Sequence, residues 1–164
     1  LKTLFWDTSA LLGLIFQEPF SPSALKAWDQ ADANYGWRWL AVEAFAALSR
    51  RRADAGQWRT LDKLLSALHF ADLEPSEMAA LCRTNREWRL RAADAGHLYV
   101  FSRLAEVFPG IELVCCDEEM IASGCHMGYS LWSEAGEKNA LKEPSATYVG
   151  RRRVQKRKTP RRNP

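Results

Sequence analysis

A chain of 164 residues, 47% of them hydrophobic, can bury one core and is too short for two full domains; it has no run of about 18 uncharged apolar residues to cross a membrane. Its net charge of +3 is unevenly placed: residues 151–164, RRRVQKRKTPRRNP, hold eight basic groups and no acid, leaving 15 basic against 20 acidic groups on the other 150 residues. The four cysteines (Cys82, Cys115, Cys116, Cys125) include no C-x-x-C, which suits neither a disulfide framework nor a zinc site and points to reduced thiols in a cytoplasm.

In chain order, residues 2–6 read as a short buried strand, followed by a helix over SALLGLIFQE that Thr8 or Ser9 caps and Pro19 ends. A second helix opens at Ser21 or Ser23 and runs to about Ala33. Asn34-Tyr35-Gly36 is a turn signal, WRW a short aromatic stretch, and LAVEAFAALSRRRADAG a long helical segment stopping at Gly56. Residues 57–69 are amphipathic, with Leu61, Leu64, Leu65 and Leu68 on one stripe. FADLEP is a weak strand, and Ser76 and Glu77 begin another helix. LRAADAGHLYVFSRLAEVF is the longest helical run, closed by Pro109-Gly110. IELVCC is the clearest strand, followed by a short helix DEEMIASGC, Gly128 and a last strand YSLW. Strands alternating with helices imply a parallel α/β sheet covered on both faces. From Glu134 onward Gly, Lys, Glu, Ser and Pro take over, so residues 134–164 are expected to form a disordered basic tail beyond a domain of residues 1–133. Such a tail suits nucleic-acid binding and a solubilising end equally. The N-terminus lacks a basic segment leading into an apolar stretch and cleavage site, so an unexported protein is expected.

Four acids stand where the pattern calls for an apolar residue: Asp7 after FW, Glu43 within LAVEAFAAL, Asp94 within AADAG, and Asp117 after ELVCC. Each has an ordinary structural account. Asp7 and Asp117 suit helix N-caps, Glu43 a pairing with Arg50 or Arg91, and Asp94 a solvated helix face. Together they read differently. Ligands of a parallel sheet gather outside the carboxyl ends of its strands, where Asp7 and Asp117 fall, and Glu43 and Asp94 have small neighbours that permit close approach. Four like charges in one crevice repel unless a divalent cation neutralises them, and all-oxygen ligation suits Mg²⁺ or Mn²⁺.

The stretches FWDTSALLGLI, LAVEAFAALSRR, LRAADAGHLYVFSRL and LVCCDEEMIASG resemble, in order and spacing, the four acidic motifs of PIN-domain nucleases, and LRAADAGHL is especially similar to VapC-type toxins, the ribonuclease halves of toxin–antitoxin pairs. The resemblance covers about residues 2–132. It implies a three-layer α/β/α sandwich with a central, mainly parallel sheet, a Mg²⁺ or Mn²⁺ centre, endoribonuclease activity, an RNA substrate, a cognate antitoxin and a homodimer. Carried over by position, Asp7, Glu43, Asp94 and Asp117 form the acidic quartet. Asp7, Asp94 and Asp117 are then metal ligands, Glu43 is a ligand or the acceptor that orients water, and Thr8 or Ser9 is a supporting hydroxyl. Where such toxins commonly carry Thr or Ser two residues before the last acid, this chain has Cys115, a poorer donor; Glu118 and Glu119 offer substitute carboxylates beside Asp117.

His97, one helical turn after Asp94, reads as a packing residue or phosphate contact more readily than as a ligand, because a metal-binding acid-x-x-His pair needs a second copy on a facing helix. Trp37 and Trp39 suit packing, with stacking on an RNA base as the rival. Arg50, Arg51 and Arg52 suit a solvated C-terminal helix turn or a phosphate contact, and Arg151, Arg152 and Arg153 are further RNA-binding candidates. A non-catalytic RNA-binding protein that presents the tail on a nuclease-like fold is the alternative of a different class; a nuclease without an antitoxin is the other.

Overall fold

The computed structural model describes residues 1–133. Its first strand, β1 (Thr3–Trp6), is central. Leu4 and Trp6 enter one hydrophobic cluster and Phe5 another, all fully buried, because side chains alternate across a strand and this strand is covered on both faces. Complete burial of such side chains contributes roughly 1.5–3 kcal/mol each.

After β1 come α1 (Thr8–Leu12), α2 (Ser21–Gln30), β2 (Ala33–Trp37), α3 (Trp39–Arg50), α4 (Ala55–Ala67), β3 (His69–Ala71), a 3₁₀ turn (Pro75–Glu77), α5 (Met78–Trp88), α6 (Ala92–Val107), β4 (Glu112–Val114) and α7 (Glu118–His126). The sheet has the order β3-β2-β1-β4, and all its strand pairs are parallel. Leu4 and Trp6 share a core with α1 and α2. Phe5 packs with α5 and α6 and lies 5.6 Å from the Phe101 ring. The result is a three-layer α/β/α sandwich. From β1 the chain moves first to β2 on one side and returns much later to β4 on the other. The carboxyl ends of β1 and β4 therefore flank the point where the strand order reverses, where open parallel sheets place ligands.

Several elements differ from the sequence reading. Asn34, Tyr35 and Gly36 form no turn: they lie within β2, paired with Leu4, Phe5 and Trp6 of β1. Gly36 serves packing there, since a Cβ would stand 3.3 Å from the Leu40 side chain. The first helix is short, and the segment expected to run from Leu40 to Gly56 is two helices. The break falls at Arg51–Asp54, where Arg52 has a φ of 53°. Asp54 restarts the helix by accepting from the backbone N–H groups of Gly56 and Gln57, while the Gln57 side chain accepts from Asp54 N–H, a capping box. The YSLW segment forms no full strand; Leu131 makes a single parallel bridge to Leu113. Among the described residues, no helix is long and apolar enough to cross a membrane. The expected tail, residues 134–164, lies outside the described residues.

Candidate functional site

Asp7 sits one residue beyond β1 and is 4% exposed. Its backbone N–H donates to Val114 O at 3.0 Å, which ties the ends of β1 and β4 together. Its side chain caps α1: Oδ2 accepts from Ser9 N–H at 2.9 Å and from the Ser9 hydroxyl at 2.5 Å. Cys115 Sγ approaches the same oxygen at 3.7 Å, so the thiol occupies the expected supporting place while Ser9 supplies the shorter contact. Asp117 caps α7, accepting from Met120 N–H at 2.9 Å. The N-cap reading is thus realised at both strand ends. Glu118 and Glu119 follow as exposed residues in the first turn of α7.

Glu43 pairs with neither Arg50 nor Arg91. Its Oε2 accepts from the Thr8 hydroxyl at 2.5 Å and faces His97 Nε2 at 2.8 Å. That places Thr8 and Ser9, neighbours in sequence, on two different acids. Burial pushes the Glu43 carboxyl up, but the hydrogen bonds from His97 and Thr8 and the adjacent imidazole outweigh it, and the group stays below its ordinary value. Burial likewise opposes a charge on His97; the hydrogen bond to Glu43 and the charges of Asp7, Glu43 and Asp94 prevail and hold the ring above its ordinary value. His97 Nε2 also lies 3.9 Å from Asp7 Oδ1.

Asp94, in the first turn of α6, is the exception. Its Oδ2 is buried and has no hydrogen-bond partner, which replaces the expected solvated helix face. Burial raises its proton affinity, and the negative charges of Asp117 and Asp7 raise it further. Asp94, at the start of α6, is thus within electrostatic reach of the acids that follow β1 and β4. Arg50 is exposed. Arg51 is engaged by Glu18 at 2.5 Å and lies over the Phe16 ring. Arg151, Arg152 and Arg153 lie outside the described residues. Burial, followed by the Asp7 charge, pushes the Cys115 thiol well above its ordinary range, so it stays protonated, and all four cysteines are free.

The chemistry of this donor set, carboxylate and hydroxyl oxygens, fits a hard divalent cation such as Mg²⁺ or Mn²⁺. So does the orphaned oxygen of Asp94, because a buried carboxylate oxygen without a donor is costly unless a cation meets it. Among the described residues, no group of three or more His, Cys, Asp or Glu side chains already stands in an arrangement able to hold an ion.

Known structures carry the same architecture. The structure of PAE2754 from Pyrobaculum aerophilum is 26% identical, with a TM-score of 0.57 over 74% of this chain and 79% of that one. VapC20 from Mycobacterium tuberculosis, described as a sarcin-ricin loop cleaving toxin, is 19% identical, with a TM-score of 0.53 over 74% of this chain and 95% of its own. The chain shares its fold with these two proteins, one of them a VapC toxin. No protein-family model and no curated protein sequence matches the chain, so the PIN likeness rests on three-dimensional structure and on the order of the four acids. Within that PIN-like frame, His97 is the residue that sequence reasoning undervalued. Its signal was present: an imidazole three residues after an acid, flanked by Gly96 and Leu98 on an apolar helix.

Proposed function

We propose that this protein is a divalent-metal-dependent endoribonuclease of the VapC toxin kind, acting in the cytoplasm. The observation that carries the reading is Asp94 Oδ2, buried without a partner and under the repulsion of Asp117 and Asp7, the acids that follow the two strands flanking the reversal of the sheet order. Asp7, Asp94 and Asp117 would hold Mg²⁺ or Mn²⁺, with Glu43 as a ligand or a water-orienting acceptor. The ion supplies charge neutralisation on the phosphodiester and on the departing oxygen, and makes water easier to deprotonate. Ser9 and Cys115 hold the Asp7 carboxylate in place, and Thr8 holds Glu43. No side chain of the chain is required as a nucleophile.

The likeness to VapC20 supports an antitoxin partner and self-association as proposals, and makes a structured RNA loop the first substrate class to test. On α3, Trp39, Val42 and Phe45 are exposed at a spacing of three residues, an apolar stripe of the kind protein partners cover. Incubation with total RNA in Mg²⁺, Mn²⁺ or chelator, followed by mapping of the cut ends, tests the reading. Discrete cuts that need the ion support it. RNA binding without cleavage under any metal condition would move the assignment to a non-catalytic RNA-binding protein.

A further inference from the structure

His97 is 1% exposed, and its surroundings fix the ring from several sides. Its Nε2 lies 2.8 Å from Glu43 Oε2 and 3.3 Å from Thr8 Oγ1. The Trp37 indole meets the ring edge-on, with centroids 5.2 Å apart at 84°. Trp37 reaches that position because residue 96 is glycine: a Cβ there would stand 2.3 Å from the indole Cζ3. Buried Nδ1 has no hydrogen-bond partner. Both hydrogen bonds to the Glu43 carboxylate, from Thr8 and from His97, end on Oε2. A carboxylate oxygen only accepts, so the 2.8 Å contact requires hydrogen on Nε2. That hydrogen is present in the neutral Nε2–H tautomer and in the cation alike, so the contact does not depend on the charge of the ring.

We propose that His97 is a positioning residue: Nε2–H and the Thr8 hydroxyl together clamp Glu43 Oε2, so that Oε1 alone serves the metal or the attacking water, while Trp37 locks the imidazole from behind. Groups that orient acidic or ligating side chains have to be held by packing as well as by hydrogen bonds, and the chain Trp37–His97–Glu43 supplies both. The inference rests on the nuclease reading of the four acids for its catalytic consequence. It does not rest on it for the contact itself.

The test uses the full chain and two variants, His97→Gln, whose amide can donate from near the Nε2 position, and His97→Leu, which has similar bulk and no donor. Long-range ¹H–¹⁵N spectra of the metal-free wild type should show hydrogen on Nε2, with the signal displaced in Glu43→Ala. In Mg²⁺- or Mn²⁺-dependent RNA cleavage, His97→Leu should lose about 10- to 100-fold in kcat with little change in KM, and His97→Gln should recover most of the loss while melting at a similar temperature. A ring with bare Nε2 overturns the proposal. So does equal activity of folded Leu and Gln variants, which would make His97 a packing residue only. Should the wild type cleave no RNA, the spectra still decide the contact, and protonated, Glu43-dependent Nε2 would leave the positioning intact while the nuclease reading falls.

Discussion

Asp7, Asp94 and Asp117 are chemically alike and differ in what the fold gives them. Asp7 and Asp117 each accept backbone N–H groups at a helix start, so their charges have donors whether or not an ion binds. Asp94 Oδ2 has none. Its raised pKa, from burial and from repulsion by Asp117 and Asp7, means that its ionised form costs stability above the folded value, a cost that disappears as pH falls below 3.8, the ordinary value. Asp94→Asn should therefore melt higher than wild type at pH 7 without metal and cleave no RNA; thermal melts and a cleavage assay read the two effects. Asp7→Ala should melt lower, since removing an N-cap costs about 1 kcal/mol. Glu43 and His97 give the opposite pH signature. The Glu43 contribution is present above its ordinary value of 4.5 and is lost as pH falls through the lower folded value; the His97 contribution is complete below 6.5 and is lost as pH rises through its higher folded value. Glu43→Gln should thus lie furthest below wild type in melting temperature between about pH 4.5 and 6.5, with the gap narrowing on either side in a pH series. The acids were visible in the sequence as polar breaks in apolar runs. Their partners were not: which helix lies opposite Glu43 is a property of the assembled layers, and an arginine at helical spacing looked a better counter-charge than a histidine 54 positions away.

The strands were legible where buried apolar residues follow one another, as Leu4–Trp6 do in β1 and Leu113 and Val114 in β4, and α6 where a long helical run ended in Pro-Gly. β2 was hidden because Asn-Tyr-Gly imitates a turn. The close approach of Leu40 explains the glycine, and Tyr35 and Trp37 are the aromatic types that strands favour. The break between α3 and α4 was hidden too, since no glycine or proline falls between Arg50 and Asp54; its signature was the Asp54-x-x-Gln57 pattern, a helix start set within a longer helical stretch. Helix α6 pays for its place against β2 with a glycine, which is unfavourable in a helix interior by about 1 kcal/mol relative to Ala. Gly96→Ala should nonetheless destabilise the protein, because the added methyl meets the Trp37 ring at 2.3 Å and overpacking of this kind costs about 1–3 kcal/mol. A double-mutant cycle with Trp37→Leu checks the cause: the pair should lose less stability than the two single changes added together.

Across the whole molecule, charge is unevenly distributed along the sequence: 150 residues of net negative charge are followed by 14 that carry eight positive charges. If those charges meet phosphate, deleting residues 151–164 should flatten the salt dependence of single-stranded RNA binding by about 0.7 for each phosphate no longer neutralised. With roughly three to five phosphates neutralised at once, the log–log slope would change by about 2 to 3.5. Cleavage positions should not move, since pairing with phosphate carries no sequence information; binding across a salt series and end mapping of both proteins decide this, and identical slopes would leave the tail without a role in RNA binding. The order of the sheet has a consequence in time. Leu4 of β1 pairs with Glu112 of β4, so the central strand waits for a neighbour made more than a hundred residues later, and Asp7 cannot meet Asp117 before then. During synthesis the first three acids emerge while the fourth is still inside the ribosome. The crevice between the two strand ends is therefore assembled late, by the pairing of the first strand with the last, and no earlier segment of the chain can form it alone.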